Sequence, residues 1–187
     1  MGMPASAYTT TDFVTAEFVR ALPDDGNRYE VVRGELLVTP APRAWHQEVV
    51  GRLFETLRTY LRAQPVGHAM MSPADISWSP DTLVQPDAFV LPLEQARTLD
   101  WVYMKDLLLV VEVLSPSSVR ADRFTKRLEY QRQGIPLYWM VDPNERHVEV
   151  WTPSDTFPSF ERERLVWRPA GAAGPFTLAL ADLFRPI

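Results

Sequence analysis

Cysteine is absent from the 187 residues, which excludes disulfides, Cys-ligated zinc, iron–sulfur clusters and thiol nucleophiles together. The chemistry that remains is that of carboxylates, imidazoles, amines and hydroxyls. An excess of positive charge is missing too: 19 Lys and Arg stand against 24 Asp and Glu, for a formal net charge of −5. The overall field repels phosphates, so any nucleic acid has to be held in a local basic groove or through metal ions. No apolar run approaches the roughly 20 residues that span a bilayer, Leu107 to Val111 being the longest. Met1 to Thr11 has neither the basic stretch nor the apolar core of a secretory signal, and the expectation is a cytoplasmic protein without membrane association. Phosphate-binding P-loops, Gly-rich dinucleotide loops and G-x-S-x-G elbows are likewise missing, which removes the ATPase, dehydrogenase and elbow-hydrolase readings.

What is present is ordinary globular material, 46% hydrophobic and 23% charged. Internal repeats, Gly/Ser linkers and charge blocks do not interrupt it, so we expect a flexible N-terminus over 1–11 and one domain over 12–187.

The patterning predicts an α/β fold: a mixed sheet, two main flanking helices and additional β-hairpins. A short helix is expected over Asp12 to Leu22, then strands Tyr29 to Val32 and Glu35 to Thr39 joined through Arg33-Gly34. Val50, Leu53, Leu57 and Leu61 recur at helical spacing within Trp45 to Ala63. Extended pieces at Ala69 to Met71 and Asp75 to Trp78 precede a strand over Leu83 to Leu91. Leu107 to Leu114 reads as a central strand buried on both faces. A second long helix runs from Ser117 or Ser118 to about Gln133, with Phe124 and Leu128 packed on one side. Leu137 to Val141 and His147 to Thr152 form another hairpin, and strand-like segments at Phe160 to Trp167 and Pro175 to Leu180 follow.

Two carboxylates stand where carboxylates are expensive. Asp87 follows Pro86 within the Leu83 to Leu91 strand, and Glu112 interrupts the apolar run Leu107 to Leu114. An ionised carboxylate there costs several kcal/mol unless it is paired, hydrogen-bonded or metal-bound. A pair of such groups on neighbouring strands suits a hard cation such as Mg2+, which takes oxygen ligands and keeps several waters. For Asp87 alone, a carboxylate satisfied by backbone N–H groups is an equal reading. Lys126 follows Asp122 by four residues and lies nearly opposite Phe124 and Leu128 on the helical wheel. Its alternatives are a solvated surface lysine and a site residue. Glu30 shares a strand face with Val32, either solvated or supporting a ligand from behind. His46 heads the apolar stripe of its helix, as a core or capping histidine or as a site residue. The one locally basic element carries Arg120, Arg123, Lys126, Arg127 and Arg132 against Asp122 and Glu129. Arg120, Arg123 and Arg127 there either contact a phosphate backbone or form a solvated face.

The ordered set Pro86-Asp87, Glu112-Val113-Leu114-Ser115-Pro116-Ser117, Asp122, Lys126, Tyr130, Gly134-Ile135-Pro136 and Tyr138-Trp139 resembles the Uma-type restriction-endonuclease-like family of the PD-(D/E)XK nuclease superfamily. The segment Tyr29-Glu30-Val31-Val32-Arg33-Gly34-Glu35 and His46 belong to the same resemblance, which spans about residues 12 to 152. It implies a restriction-endonuclease-like core and a Mg2+- or Mn2+-dependent endonuclease site. Asp87, Glu112 and the backbone carbonyl of Val113 would be the metal ligands, and Lys126, Glu30 and His46 would be further catalytic residues. The pattern departs at Leu114, where the superfamily usually places its lysine, and Lys126 looks like that lysine migrated to the next helix. The implied partner is nucleic acid, DNA before RNA, with a homodimer as a further expectation. A nuclease fold retained as a nucleic-acid-binding or protein-interaction module without the reaction is the alternative that Leu114 and the negative net charge motivate.

Overall fold

The structure is a computed structural model that describes residues 13–187, so the expected flexible segment 1–11 lies outside the described residues. Its first half carries α1 (Ala16–Arg20), β1 (Arg28–Val32), β2 (Glu35–Thr39), α2 (Ala44–Ala63), β3 (His68–Met71), β4 (Ile76–Ser79), β5 (Thr82–Val84) and β6 (Ala88–Leu91). The second half continues with α3 (Leu93–Ala96), β7 (Leu109–Val113), a π-helical turn (Ala121–Lys126) that runs directly into α4 (Arg127–Arg132), β8 (Tyr138–Asp142) and β9 (His147–Trp151). The chain closes with β10 (Ser159–Glu161), β11 (Arg164–Trp167), β12 (Phe176–Ala179) and α5 (Leu180–Leu183). The α+β class is as the patterning predicts, but the strands are distributed over three sheets.

The central sheet has six strands in the order β10-β9-β8-β7-β6-β3; β7 and β8 are parallel and the other pairs antiparallel. One face is covered by α2, whose Val49, Val50, Leu53, Leu57 and Leu61 pack on Val90, Leu109, Val111, Val113 and Trp139. Each such fully buried side chain contributes about 1.5–3 kcal/mol of transfer free energy. The other face receives a four-stranded sheet, β2-β1-β5-β4, through Val32, Leu37, Ile76 and Val84 against Phe89, Val110, Leu114 and Met140. The hairpin β11–β12 forms the two-stranded third sheet, and its inward residues Leu165, Trp167, Phe176 and Leu178 join the α2 side of the core.

Two single strands of the sequence reading are each divided between sheets. The stretch Leu83 to Leu91 becomes β5 in the small sheet and β6 in the large one, with Gln85-Pro86-Asp87 as the crossing. Pro86 lacks the N–H that a continuous ladder needs, so the chain changes partners there. Phe160 to Trp167 likewise divides into β10 and β11. The first helix is shorter than expected, because Thr15 caps it by accepting from the Phe18 N–H.

The second long helix turns Lys126 toward the sheet carboxylates, as a site lysine requires, but Phe124 and Leu128 do not pack on its other side as expected. Phe124 and Leu128 are 60% and 41% exposed, whereas Asp122 and Lys126 are each only 2% exposed. The inward direction is occupied by carboxylates of the two sheets, so the charged stripe turns in to meet them and the apolar stripe is left outside.

Candidate active site

Strand alternation explains how the sheets deliver acids to one place. In β7, Val111 and Val113 belong to the α2 side of the core, while Val110 and Leu114 pack on the small sheet, so Glu112 points between the two sheets. In β1, Tyr29 and Val31 pack outward against α1 and Glu30 points with Val32 into the same interlayer space. Asp87 enters from the β5–β6 crossing, and the π-turn supplies Asp122 and Lys126. All five of these side chains are buried, and all line one small cavity.

Lys126 stands at the centre. Its Nζ is 2.8 Å from Glu30 Oε2, 2.9 Å from Glu112 Oε1 and 3.4 Å from Asp122 Oδ1. The Tyr130 hydroxyl, one helical turn beyond Lys126, donates to the same Glu112 Oε1 at 2.7 Å. Glu30 Oε1 accepts the Gln85 N–H at 2.6 Å, which ties the acid to the sheet crossing. Burial would discharge Lys126, but Glu112, Glu30 and Asp122 around it raise its pKa well above the usual value. One ammonium cannot neutralise three carboxyls. Burial, helped by Asp122, Asp87 and Glu30 and opposed by Lys126, pushes the Glu112 pKa well above the carboxylate range. Asp122 is pushed up to about 6, again mainly by burial and against the pull of Lys126. Crowding of three carboxyls around one ammonium thus favours the protonated form of Glu112 and of Asp122 relative to a free carboxyl.

Asp87 is held differently. Its Oδ1 accepts from Arg28 Nη1 at 2.9 Å, and its Oδ2 lies 3.1 Å from His46 Nε2 and accepts the Val113 N–H at 2.8 Å. Burial alone would raise its pKa, but the His46 hydrogen bond and the Arg28 charge outweigh it and hold the carboxyl at about 2. His46 in turn is raised, its desolvation being outweighed by Asp87. An ionised carboxylate offers about four lone-pair sites. Asp87 thus keeps one of its acceptor positions, and the two bonds to Glu112 fall on the same oxygen. In a strand the N–H and C=O of a residue project to the same side, so the Val113 carbonyl faces the side on which its N–H meets Asp87.

The cavity encloses about 20 Å3, room for roughly one water. Among the described residues no three His, Asp or Glu side chains already converge in metal-holding geometry.

The expected site residues Asp87, Glu112, Lys126, Glu30, His46 and Val113 all line this cavity. The three expected phosphate-contacting arginines do not. Arg123 donates to Glu149 at 2.7 Å, Arg127 stacks 4.5 Å over the Trp151 ring, and Arg120 is exposed on the helix. Three participants escaped the sequence reading's set of site residues: Arg28, which no spacing distinguishes from any other strand arginine, and Asp122 and Tyr130, whose four-residue steps from Lys126 were a usable signal.

Comparison with known proteins agrees with this architecture. The sequence model of a family described as "Uma2: Putative restriction endonuclease" matches residues 15–172. No curated protein matches the chain. Among solved structures, a crystal structure described as a putative nuclease belonging to DUF820 from Anabaena variabilis superposes with a TM-score of 0.77 at 20% identity, covering 91% of this chain and 97% of that one. At that identity the likeness speaks for the fold.

Proposed function

The chain belongs to the Uma2 family, and from that premise we propose that it is a divalent-metal-dependent endonuclease hydrolysing nucleic-acid phosphodiesters, DNA foremost, at the cavity between its two sheets. The observation that carries the reading is the convergence of buried Asp87 and Glu112 on one cavity, with Lys126 fixed 2.9 Å from Glu112. Two carboxylates with acceptor capacity left, together with a strand carbonyl, fit Mg2+ or Mn2+, which need few protein oxygens and retain waters. Asp87, Glu112 and the Val113 carbonyl would hold the ion. When bound, it supplies Lewis acidity that activates a water and offsets charge on the phosphoryl oxygens.

The remaining steps belong to the chain. Arg28 and His46 keep Asp87 ionised and oriented. Glu30 and Tyr130 fix the two partners of the Lys126–Glu112 pair. The Lys126 ammonium, held charged, orients the nucleophile or stabilises the developing negative charge. A position in space matters here rather than a position in the chain, which is how a helix lysine can serve where the strand carries Leu114.

The alternative, a nuclease fold acting only as a binding module, rests on Leu114 and on the narrowness of the cavity. Calorimetric titration with Mg2+ separates the two. The enzyme reading predicts binding that is lost in Asp87→Ala and in Glu112→Ala, and absence of such binding in the wild type favours the module.

A further inference from the structure

Beside the 20 Å3 cavity lies a second, far larger space of about 480 Å3, and the two share Arg28 and Asp87 in their common wall. We infer that this outer cleft is the subsite for one unpaired nucleobase adjoining the scissile phosphate, so that the substrate is nucleic acid with a single-stranded or flipped-out nucleotide. The inference rests on the nuclease reading above.

Four observations point there. The inner cavity has room for about a water, so a phosphodiester has to present itself at the cavity's edge, and the Arg28–Asp87 wall is where that edge meets open space. Arg28 lies half in and half out: its guanidinium is bound to Asp87 at 2.9 Å, yet its side chain is 21% exposed. It can take a phosphate oxygen without leaving the carboxylate, because the guanidinium carries five donors.

The walls of the cleft suit a base rather than more backbone. Pro42, Met71 and Pro73 offer flat or deformable apolar surface, and all three are exposed. Gln47 and Gln85 bring amides whose sides not taken by His46 and by the Tyr29 carbonyl can donate and accept, as the polar edge of a base requires. Among the described residues the cleft carries no cation apart from Arg28 at its inner end, and its other charged members are the acids Asp24 and Asp87. A chain of phosphates would be repelled along it, whereas a neutral heterocycle would not.

The size agrees as well. A volume of about 480 Å3 falls in the range of small-ligand sites, about 300–1,000 Å3. A paired and stacked base cannot enter such a cleft without leaving the helix.

The test uses the full chain in Ca2+, to separate binding from cleavage. Fluorescence anisotropy is measured with a labelled short oligothymidylate, with a fully abasic strand of the same length, and with a duplex. Gln47→Trp, at an exposed position of the first turn of α2, fills the cleft. Because the Gln47 side chain also hydrogen-bonds His46, Gln47→Ala, which removes that bond without filling the cleft, is run beside it and is predicted to keep the base preference; melting temperatures check that both fold. The inference predicts that the base-bearing single strand binds about tenfold or more tightly than the abasic strand, and that Gln47→Trp removes this difference. Equal binding of base-bearing and abasic strands, or an unaltered preference in Gln47→Trp, overturns the cleft assignment. Cleavage assays with Mg2+ run in parallel: cleavage without base preference leaves the nuclease reading standing and the cleft refuted. A base preference without cleavage does the reverse.

Discussion

Lys126 Nζ lies 2.9 Å from Glu112 Oε1 across 14 positions of sequence, a helix residue completing a strand carboxylate where Leu114 offers no charge. The same ammonium is shared with Glu30 and Asp122. Removing it therefore strands three buried acids rather than one.

Lys126→Met is accordingly predicted to be a stability mutant as well as an activity mutant. Breaking a buried ion pair by removing one partner costs about 3–5 kcal/mol. Urea unfolding of Lys126→Met should show a loss of that order, with part of it recovered in Lys126→Met combined with Glu30→Gln. A stability change below about 0.5 kcal/mol would mean that the ammonium is not compensating these acids.

Asp87 makes a prediction about acid. Its folded pKa of about 2 lies below the unfolded value, so its contribution is present above about pH 4 and is lost as pH falls toward 2. The size is about 2 kcal/mol. Asp87→Asn should flatten this limb of the stability curve, measured by urea midpoints between pH 4.5 and 2. An unchanged slope would show that the carboxylate is not held ionised by His46 and Arg28.

Glu112 behaves in the opposite sense. Burial and the surrounding acids raise its pKa, so binding of the proposed Mg2+, which favours the ionised carboxylate, is predicted to release protons. Calorimetry in two buffers of different ionisation enthalpy should give different apparent binding enthalpies, with affinity rising as pH rises. Buffer-independent heats would place the ion elsewhere.

The outward face of the same helix yields the converse expectation. Because Phe124 and Leu128 are exposed, Phe124→Ser and Leu128→Gln should each change stability by no more than about 0.5 kcal/mol. A core loss of 2 kcal/mol or more in either would restore the packing that hydrophobicity alone suggests.

How much of this was legible in the sequence differs by element. The α2 stripe and the Arg33-Gly34 hairpin were readable because each rests on a local period or a local turn. Glu112 was readable because a carboxylate inside an apolar strand announces a partner. The crossing at Gln85-Pro86-Asp87 was harder: period-2 alternation continues through it, and only Pro86 signals that β5 and β6 belong to different sheets. The helix bearing Lys126 was half readable: Lys126 reaches Glu112 as a site lysine should, but hydrophobicity ranks Phe124 and Leu128 as packed and both are exposed, because the carboxylates across the interface claim the inward side. Arg28 was invisible for the same reason: its significance comes entirely from Asp87, 59 residues away.

The central claim is that Asp87 and Glu112 form a metal-dependent phosphodiesterase centre. Cleavage of plasmid and of single-stranded DNA by purified protein, with Mg2+ or Mn2+ and with EDTA, tests it most directly when wild type is run beside Asp87→Ala and Glu112→Ala. The account predicts nicking or cleavage that requires the metal and falls by roughly 100-fold or more in both variants, the scale of a lost transition-state interaction. Equal activity in all three preparations, or activity that persists in EDTA, would contradict it.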